Sequence, residues 1–172
     1  GFINSKEELQ KYSSIETMSG EADEAVALEK AASAVQQAHE MNGNPTDRTV
    51  AYYEERAKGG YALIITEVTR VQDTEFCTPL EPSLGSDKFI PGWKKVTDAV
   101  HEQGAYIFPQ LHQPGRQYTK AILGHDTSAP SPIACPVFDE TPHELTTEEV
   151  WDNIHMFGDA AVRAKKAGFD GV

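Results

Sequence analysis

One unit recurs along the chain: a helical segment, a stopping glycine and an apolar run of strand length. In DRTVAYYEERAKGG, Val50, Tyr53 and Ala57 fall on one helical face, and Gly59 and Gly60 stand where positive φ commonly ends a helix. The strand YALIIT, Tyr61 to Thr66, follows at once. GWKKVTDAVHEQ repeats the helix with Trp93, Val96, Ala99 and Val100 inward; Gly104 stops it and AYIFPQL is the next strand. A third copy, TTEEVWDNIHMFGDAAVRAKKAG, opens on Thr146 with Glu149 at capping-box spacing, carries Val150, Ile154, Phe157 and Ala161 inward, and stops at Gly168 before FDGV.

Strands that are apolar throughout, without alternation, suit a parallel sheet that has helices on one face and more core on the other. The chain is therefore predicted to be α/β, either a barrel or a doubly wound sheet. The connections before the strands are one or two glycines, whereas those after them, Glu67 to Pro91 and His112 to Leu145, are long. Both architectures build ligand sites from loops at the carboxyl ends of strands, so function is sought just after Thr66, Leu111 and Val172. No GxGxxG follows the first strand and no GxxxxGK[ST] occurs, which lowers the doubly wound alternative; HExxH, GxSxG and a nucleophilic cysteine signature are missing too.

The remaining composition narrows the partners. A formal net charge of −12 opposes a surface built to neutralise phosphates, so nucleic acid is not an expected partner. Cys77 and Cys135 stand in no zinc or redox spacing and read as two reduced thiols of a cytoplasmic protein. No apolar run has membrane-spanning length, and GFINSKEELQ lacks the basic and apolar regions of a signal peptide. Upstream of the repeats, Ser5 to Tyr12 reads as a short helix and the Ala-rich Glu21 to Met41 as a longer one, without chemistry in either. MNGNPT breaks that pattern, which divides the chain into a helical segment over 1–43 and the repeat region over 44–172, with Thr46 as the next cap.

The richest polar run is PQLHQPGRQY. Gln110 ends a buried strand with an amide that both donates and accepts hydrogen bonds, which suits a flavin pyrimidine edge; the competing reading is a polar strand end bonded to neighbouring backbone. His112 falls on the same side of the strand as Gln110, either facing a substrate or solvated in a loop. Arg116 either grips an anion or pairs with an acidic loop residue, and Glu67 either supports a ligand or caps a helix or meets water. His125, Cys135 and His143 match no familiar metal spacing, and no metal is assigned.

AYYEERAKGGYALIITEVTRV, GWKKVTDAVHEQGAYIFPQLHQPGR, APSPI and ELTTEEVWDNIHMFGDAAVRAKKAGFDGV, in this order and spacing, closely resemble the N-terminal half of the NADH:flavin oxidoreductases of the Old Yellow Enzyme family. The resemblance implies a partial (β/α)8 TIM barrel, roughly its first half, preceded by an atypical helical segment. It also implies FMN as cofactor, NADH or NADPH as reductant, and a small α,β-unsaturated compound as substrate. Gln110 falls on the family glutamine that bonds the flavin pyrimidine, Val68 on a small residue whose backbone approaches the flavin, and His112 on a position facing the substrate. The role of Arg116, in the family's frequent GR, is left open.

Two departures accompany these matches. The family's first strand belongs near residues 25–40, where EAVALEKAASAVQQAH reads as helix, and the chain stops at GFDGV, just before the family's His-x-x-His or His-x-x-Asn pair. No catalytic residue is therefore assigned. A complete barrel takes about 250 residues; a fragment not competent alone is expected, needing self-association or a complementing chain to cover the open sheet. The alternative is a non-catalytic remnant acting as an interaction or scaffold protein.

Overall fold

Thr46 opens the first helix as its position after MNGNP leads one to expect: its hydroxyl accepts a hydrogen bond from the Arg48 amide at 3.2 Å, and its own amide donates to Thr49 Oγ1 at 3.1 Å. The computed structural model describes residues 43–76 and 80–172; the helices expected within 1–42, and Cys77, lie outside the described residues. Helix α1 (Asp47–Lys58) buries Tyr53 and Ala57, with Val50 packed beside them. Gly60 and Gly104, at φ 93° and 79°, turn the chain into strands β1 (Leu63–Arg70) and β2 (Tyr106–His112). Between the strands run a short 3-10 turn (Asp87–Phe89) and helix α2 (Ile90–His101). The long connection after β2 holds a single turn of helix, α3 (Lys120–Leu123), and a two-residue parallel ladder of β3 (Ser128–Ala129) with β4 (His143–Glu144). Helix α4 (Thr147–Lys166) then starts on the expected capping box, Thr146 Oγ1 accepting from the Glu149 amide at 3.2 Å while Glu149 Oε2 accepts from the Thr146 amide at 2.7 Å.

β1 and β2 are parallel neighbours, and the chain after α4 reaches the other edge of β2: the Asp170 amide donates to Ile107 O, and the Ile107 amide donates to Asp170 Oδ2 at 2.9 Å. This is the order of successive units in an α/β barrel. The core lies between the sheet and the helices, where Ile64 and Ile107 meet Tyr53, Trp93, Val96, Val100, Ala160 and Ala164. The opposite sheet face is open: Leu63, Ile65 and Tyr106 are 47%, 62% and 61% exposed.

Two helical expectations are corrected. In α2 the inward position goes to Thr97, while Ala99 is half-buried, because the Thr97 hydroxyl is satisfied inside by donating to Ala167 O at 2.6 Å. That contact brings Thr97 so close to Gly168 that a Cβ there would lie 2.8 Å from Thr97 Oγ1, and Gly168 also has φ 92°; no side chain fits either requirement. In α4, Ile154 is half exposed and Ala161 half-buried; the buried face is Ala160 and Ala164, with Met156 and Phe157 packed at its margin. The helix is long enough that its first half lies over the loop following β2, while only its second half meets the sheet-backed core.

Candidate functional site

An irregularity in β1 decides which side chains meet at the carboxyl ends of the strands. Leu63, Ile64 and Ile65 pair with Tyr106, Ile107 and Phe108, but the next pairs are Val68 with Gln110, Thr69 with Leu111 and Arg70 with His112. Thr66 and Glu67 thus stand against Pro109 alone, a β-bulge of one extra residue. Proline has no N–H to give to the ladder and is tolerated at such a place. The neighbouring donor, the Gln110 amide, goes to the hydroxyl of buried Thr66 at 3.3 Å, and Thr66 in turn donates to Glu67 O at 2.9 Å.

The extra residue reverses the alternation of β1. Before the bulge Leu63 and Ile65 share the open face with Tyr106 and Phe108; after it Val68 and Arg70 share that face with Gln110 and His112, since partners in register point to the same side. The two strands also extend beyond their apolar runs, to Arg70 and His112, so the polar residues after Thr66 and Leu111 are ladder positions, not loop. Gln110 is exposed, and among the described residues its side-chain amide has no hydrogen-bond partner. Val68, half-buried, is its register partner.

His112 is not a solvated loop residue. Its Nδ1 lies 3.1 Å from Oε1 of Glu81, whose side chain is 2% exposed. Glu81 is brought there by backbone: the Arg70 amide donates to Pro82 O and the Leu84 amide to Arg70 O, both at 2.9 Å, zipping residues 82–84 along the end of β1. Arg70 itself is buried, and burial holds its guanidinium below the ordinary arginine range against the opposing pull of Asp73 and Glu81. Its Nη2 would lie 2.5 Å from a Cβ at Gly43, so a glycine there, at φ 84°, makes room for it.

The other singled-out residues serve the surrounding loops. Arg116 Nη1 donates to the carbonyls of Ile133 and Ala134 at 2.6 and 3.1 Å, so among the described residues its guanidinium braces the loop after β2 through backbone oxygens. Glu67 accepts the hydroxyls of Thr66 and Thr69 on its carbonyl and offers its amide to Tyr53 Oη, placing it in the bulge between sheet and α1. His125 Nδ1 lies 2.9 Å from Asp126 O, His143 Nε2 3.0 Å from Glu149 Oε1, and Cys135 is buried; among the described residues no three His, Cys, Asp or Glu side chains gather as metal ligands. Sequence reasoning missed Arg70 and Glu81, and also Gln113, whose Nε2 donates to Glu75 Oε2 and Asn153 Oδ1 and so ties together the loops after β1 and β2 and helix α4. Only the polar character of QLHQPGR hinted at the last of these.

Residues 28–172 match the NADH:flavin oxidoreductase / NADH oxidase family. The chain is 42% identical over 134 residues to a metal reductase of Desulforamulus reducens, covering 76% of this chain and 20% of that protein. It is 41% identical over 132 residues to an NADPH dehydrogenase of Bacillus subtilis, covering 77% of this chain and 38% of that protein. Among solved structures it resembles an old yellow enzyme homologue from Zymomonas mobilis, with TM-score 0.66 and 28% identity over 78% of this chain and 40% of the other. The chain thus spans well under half the length of these relatives, and the described fold corresponds to part of their α/β barrel, as the repeated units lead one to expect.

Proposed function

Because the chain belongs to the NADH:flavin oxidoreductase / NADH oxidase family, we propose that its open strand-end face is part of an FMN site in an oxidoreductase of Old Yellow Enzyme type. The observation that carries this reading is the pairing of Val68 with Gln110 at the carboxyl ends of parallel strands, with the Gln110 amide exposed and, among the described residues, without a hydrogen-bond partner. A glutamine amide offers one donor and one acceptor side by side, which fits the alternating donor and acceptor atoms of a flavin pyrimidine edge and orients it without titrating. Val68 carries a small side chain beside that amide, leaving the backbone approachable. His112 lies next along the same face, the side that this reading gives to the substrate.

Bound FMN would supply the hydride chemistry between NADH or NADPH and an activated alkene such as an enone or enoate. The part of these residues is to bind and orient. A cytoplasmic location goes with this reading, and no helix among the described residues is long and apolar enough to cross a membrane. The open apolar face of Leu63, Ile65 and Tyr106 further supports closure by self-association or by a complementing chain.

Titration of the folded chain with FMN tests the reading. Binding should perturb the flavin absorption bands, and Gln110→Leu should weaken it about 10-fold, the equivalent of one lost pair of hydrogen bonds at about 1.4 kcal/mol. Folded protein that leaves added FMN unperturbed would sink the reading for this chain and favour the non-catalytic interaction protein.

A further inference from the structure

We propose that Glu81 is a positioning residue that fixes the tautomer and the direction of the His112 ring, so that Nε2 is the nitrogen presented on the face shared with Gln110. The proposal rests on the reading that this face receives flavin and substrate, and it concerns only how one of its side chains is set.

Three observations carry it. First, His112 and Arg70 are the last register partners of β2 and β1, so both side chains leave the sheet on the Gln110 side. Second, the Glu81 side chain is 2% exposed, and His112 Nδ1 lies 3.1 Å from its Oε1 while the His112 side chain keeps 27% of its surface open. A carboxylate can only accept, so the neutral ring has its proton on Nδ1 and a lone pair on Nε2. Third, the segment that carries Glu81 is fixed: the backbone bonds of Pro82 and Leu84 to Arg70 hold it against β1, and the Ser83 amide donates to Gly43 O at 3.0 Å.

The consequence is chemical. With Nδ1 committed, the neutral ring meets the substrate side with a hydrogen-bond acceptor, suited to a hydroxyl or protonated acid on the ligand; once protonated it becomes a donor, suited to a carbonyl or carboxylate. The Nε2–H tautomer would meet a carbonyl with a donor even when neutral. Glu81 thereby sets which ligand group His112 recognises at a given protonation state.

The test is ¹⁵N NMR of the His112 ring in the cofactor-free chain at alkaline pH, where the ring is neutral, with the resonances identified by their loss in His112→Asn. Wild type should show a protonated, pyrrole-type Nδ1 and a pyridine-type Nε2. Glu81→Leu should shift the ring toward Nε2–H, and Glu81→Gln, which keeps the volume and can donate as well as accept, should give a mixture if the leucine variant does not fold. A wild-type ring already in the Nε2–H form, or one whose tautomer is unchanged when the acceptor is removed in Glu81→Leu or Glu81→Ala, would overturn the proposal. Because the readout needs no flavin, failure of FMN to bind would refute the cofactor reading while leaving this result intact.

Discussion

Replacing Thr66 by valine keeps shape and volume but removes the hydroxyl that closes the bulge. In the structure that hydroxyl accepts from the Gln110 amide at 3.3 Å and donates to Glu67 O at 2.9 Å, in a side chain that is 2% exposed. Valine supplies neither bond, and no carbonyl of β1 is in register to take over, because Pro109 and the extra residue have shifted the ladder. An unmet buried backbone group costs about 1–3 kcal/mol. The long 3.3 Å contact belongs at the lower end, and Glu67 O retains the Thr69 hydroxyl at 3.0 Å, so a total of about 2 kcal/mol is expected. With a urea m-value of about 2 kcal/mol/M, the unfolding midpoint should fall by about 1 M. Hydrogen exchange of the Gln110 amide should accelerate in parallel, and FMN should bind more weakly because Val68 and Gln110 lose their fixed register. Thr69→Val is the control: it loses the bond to Glu67 O and the 3.3 Å contact with the Thr66 hydroxyl but leaves that hydroxyl on the Gln110 amide, so exchange at that position should stay slow. If Thr66→Val shifts the midpoint by less than about 0.25 M, about 0.5 kcal/mol at that m-value, and leaves Gln110 exchange unchanged, the hydroxyl does not hold the bulge.

Two further outcomes follow from other contacts. Burial would raise the Asp170 carboxyl, but hydrogen bonds from His101 and the Ile107 amide outweigh it and hold the group below the ordinary aspartate range. A depressed folded value means stability present above the unfolded pKa of about 3.9 and lost as pH falls through the folded value, so Asp170→Asn should cost about 1 kcal/mol, reduced for partial exposure, near neutrality and nothing at strongly acid pH. Equal destabilisation at both pH values in urea titrations would refute that linkage. The open face of Leu63, Ile65 and Tyr106 should drive self-association of the isolated chain; sedimentation should show concentration-dependent species that Ile65→Lys disperses, and a strictly monomeric wild type would remove that driving force from consideration.

Much of the scaffold was legible because it rests on local signals. Thr46 and Thr146 announce helix starts, Gly60, Gly104 and Gly168 announce ends, and Ile64 and Ile107 mark strands that become buried. The errors arose where tertiary contacts overrode periodicity. Thr97 went inward because Ala167 O, far along the chain, satisfies its hydroxyl, and Ile154 stayed half exposed because α4 outruns the core it packs on. Neither partner is visible within a window of one or two turns.

The site was legible only in part, and the bulge is the reason. Polarity at a strand end pointed to Gln110 and His112, yet a period-2 reading of β1 would put Glu67 on the face of Leu63 and Ile65 and turn Val68 and Arg70 away. Insertion of one residue opposite Pro109 reverses that assignment, bringing Val68 beside Gln110 and Arg70 beside His112. Only then does the end of β1 meet the segment that carries Glu81. The two features on which the proposed site rests, the exposed Gln110 amide and the His112–Glu81 contact, therefore depend on the one place where the strand departs from its own pattern. A ladder kept regular by deleting one of the two bulge residues would preserve the helices and their core while returning Arg70 to the opposite face and separating His112 from its buried carboxylate.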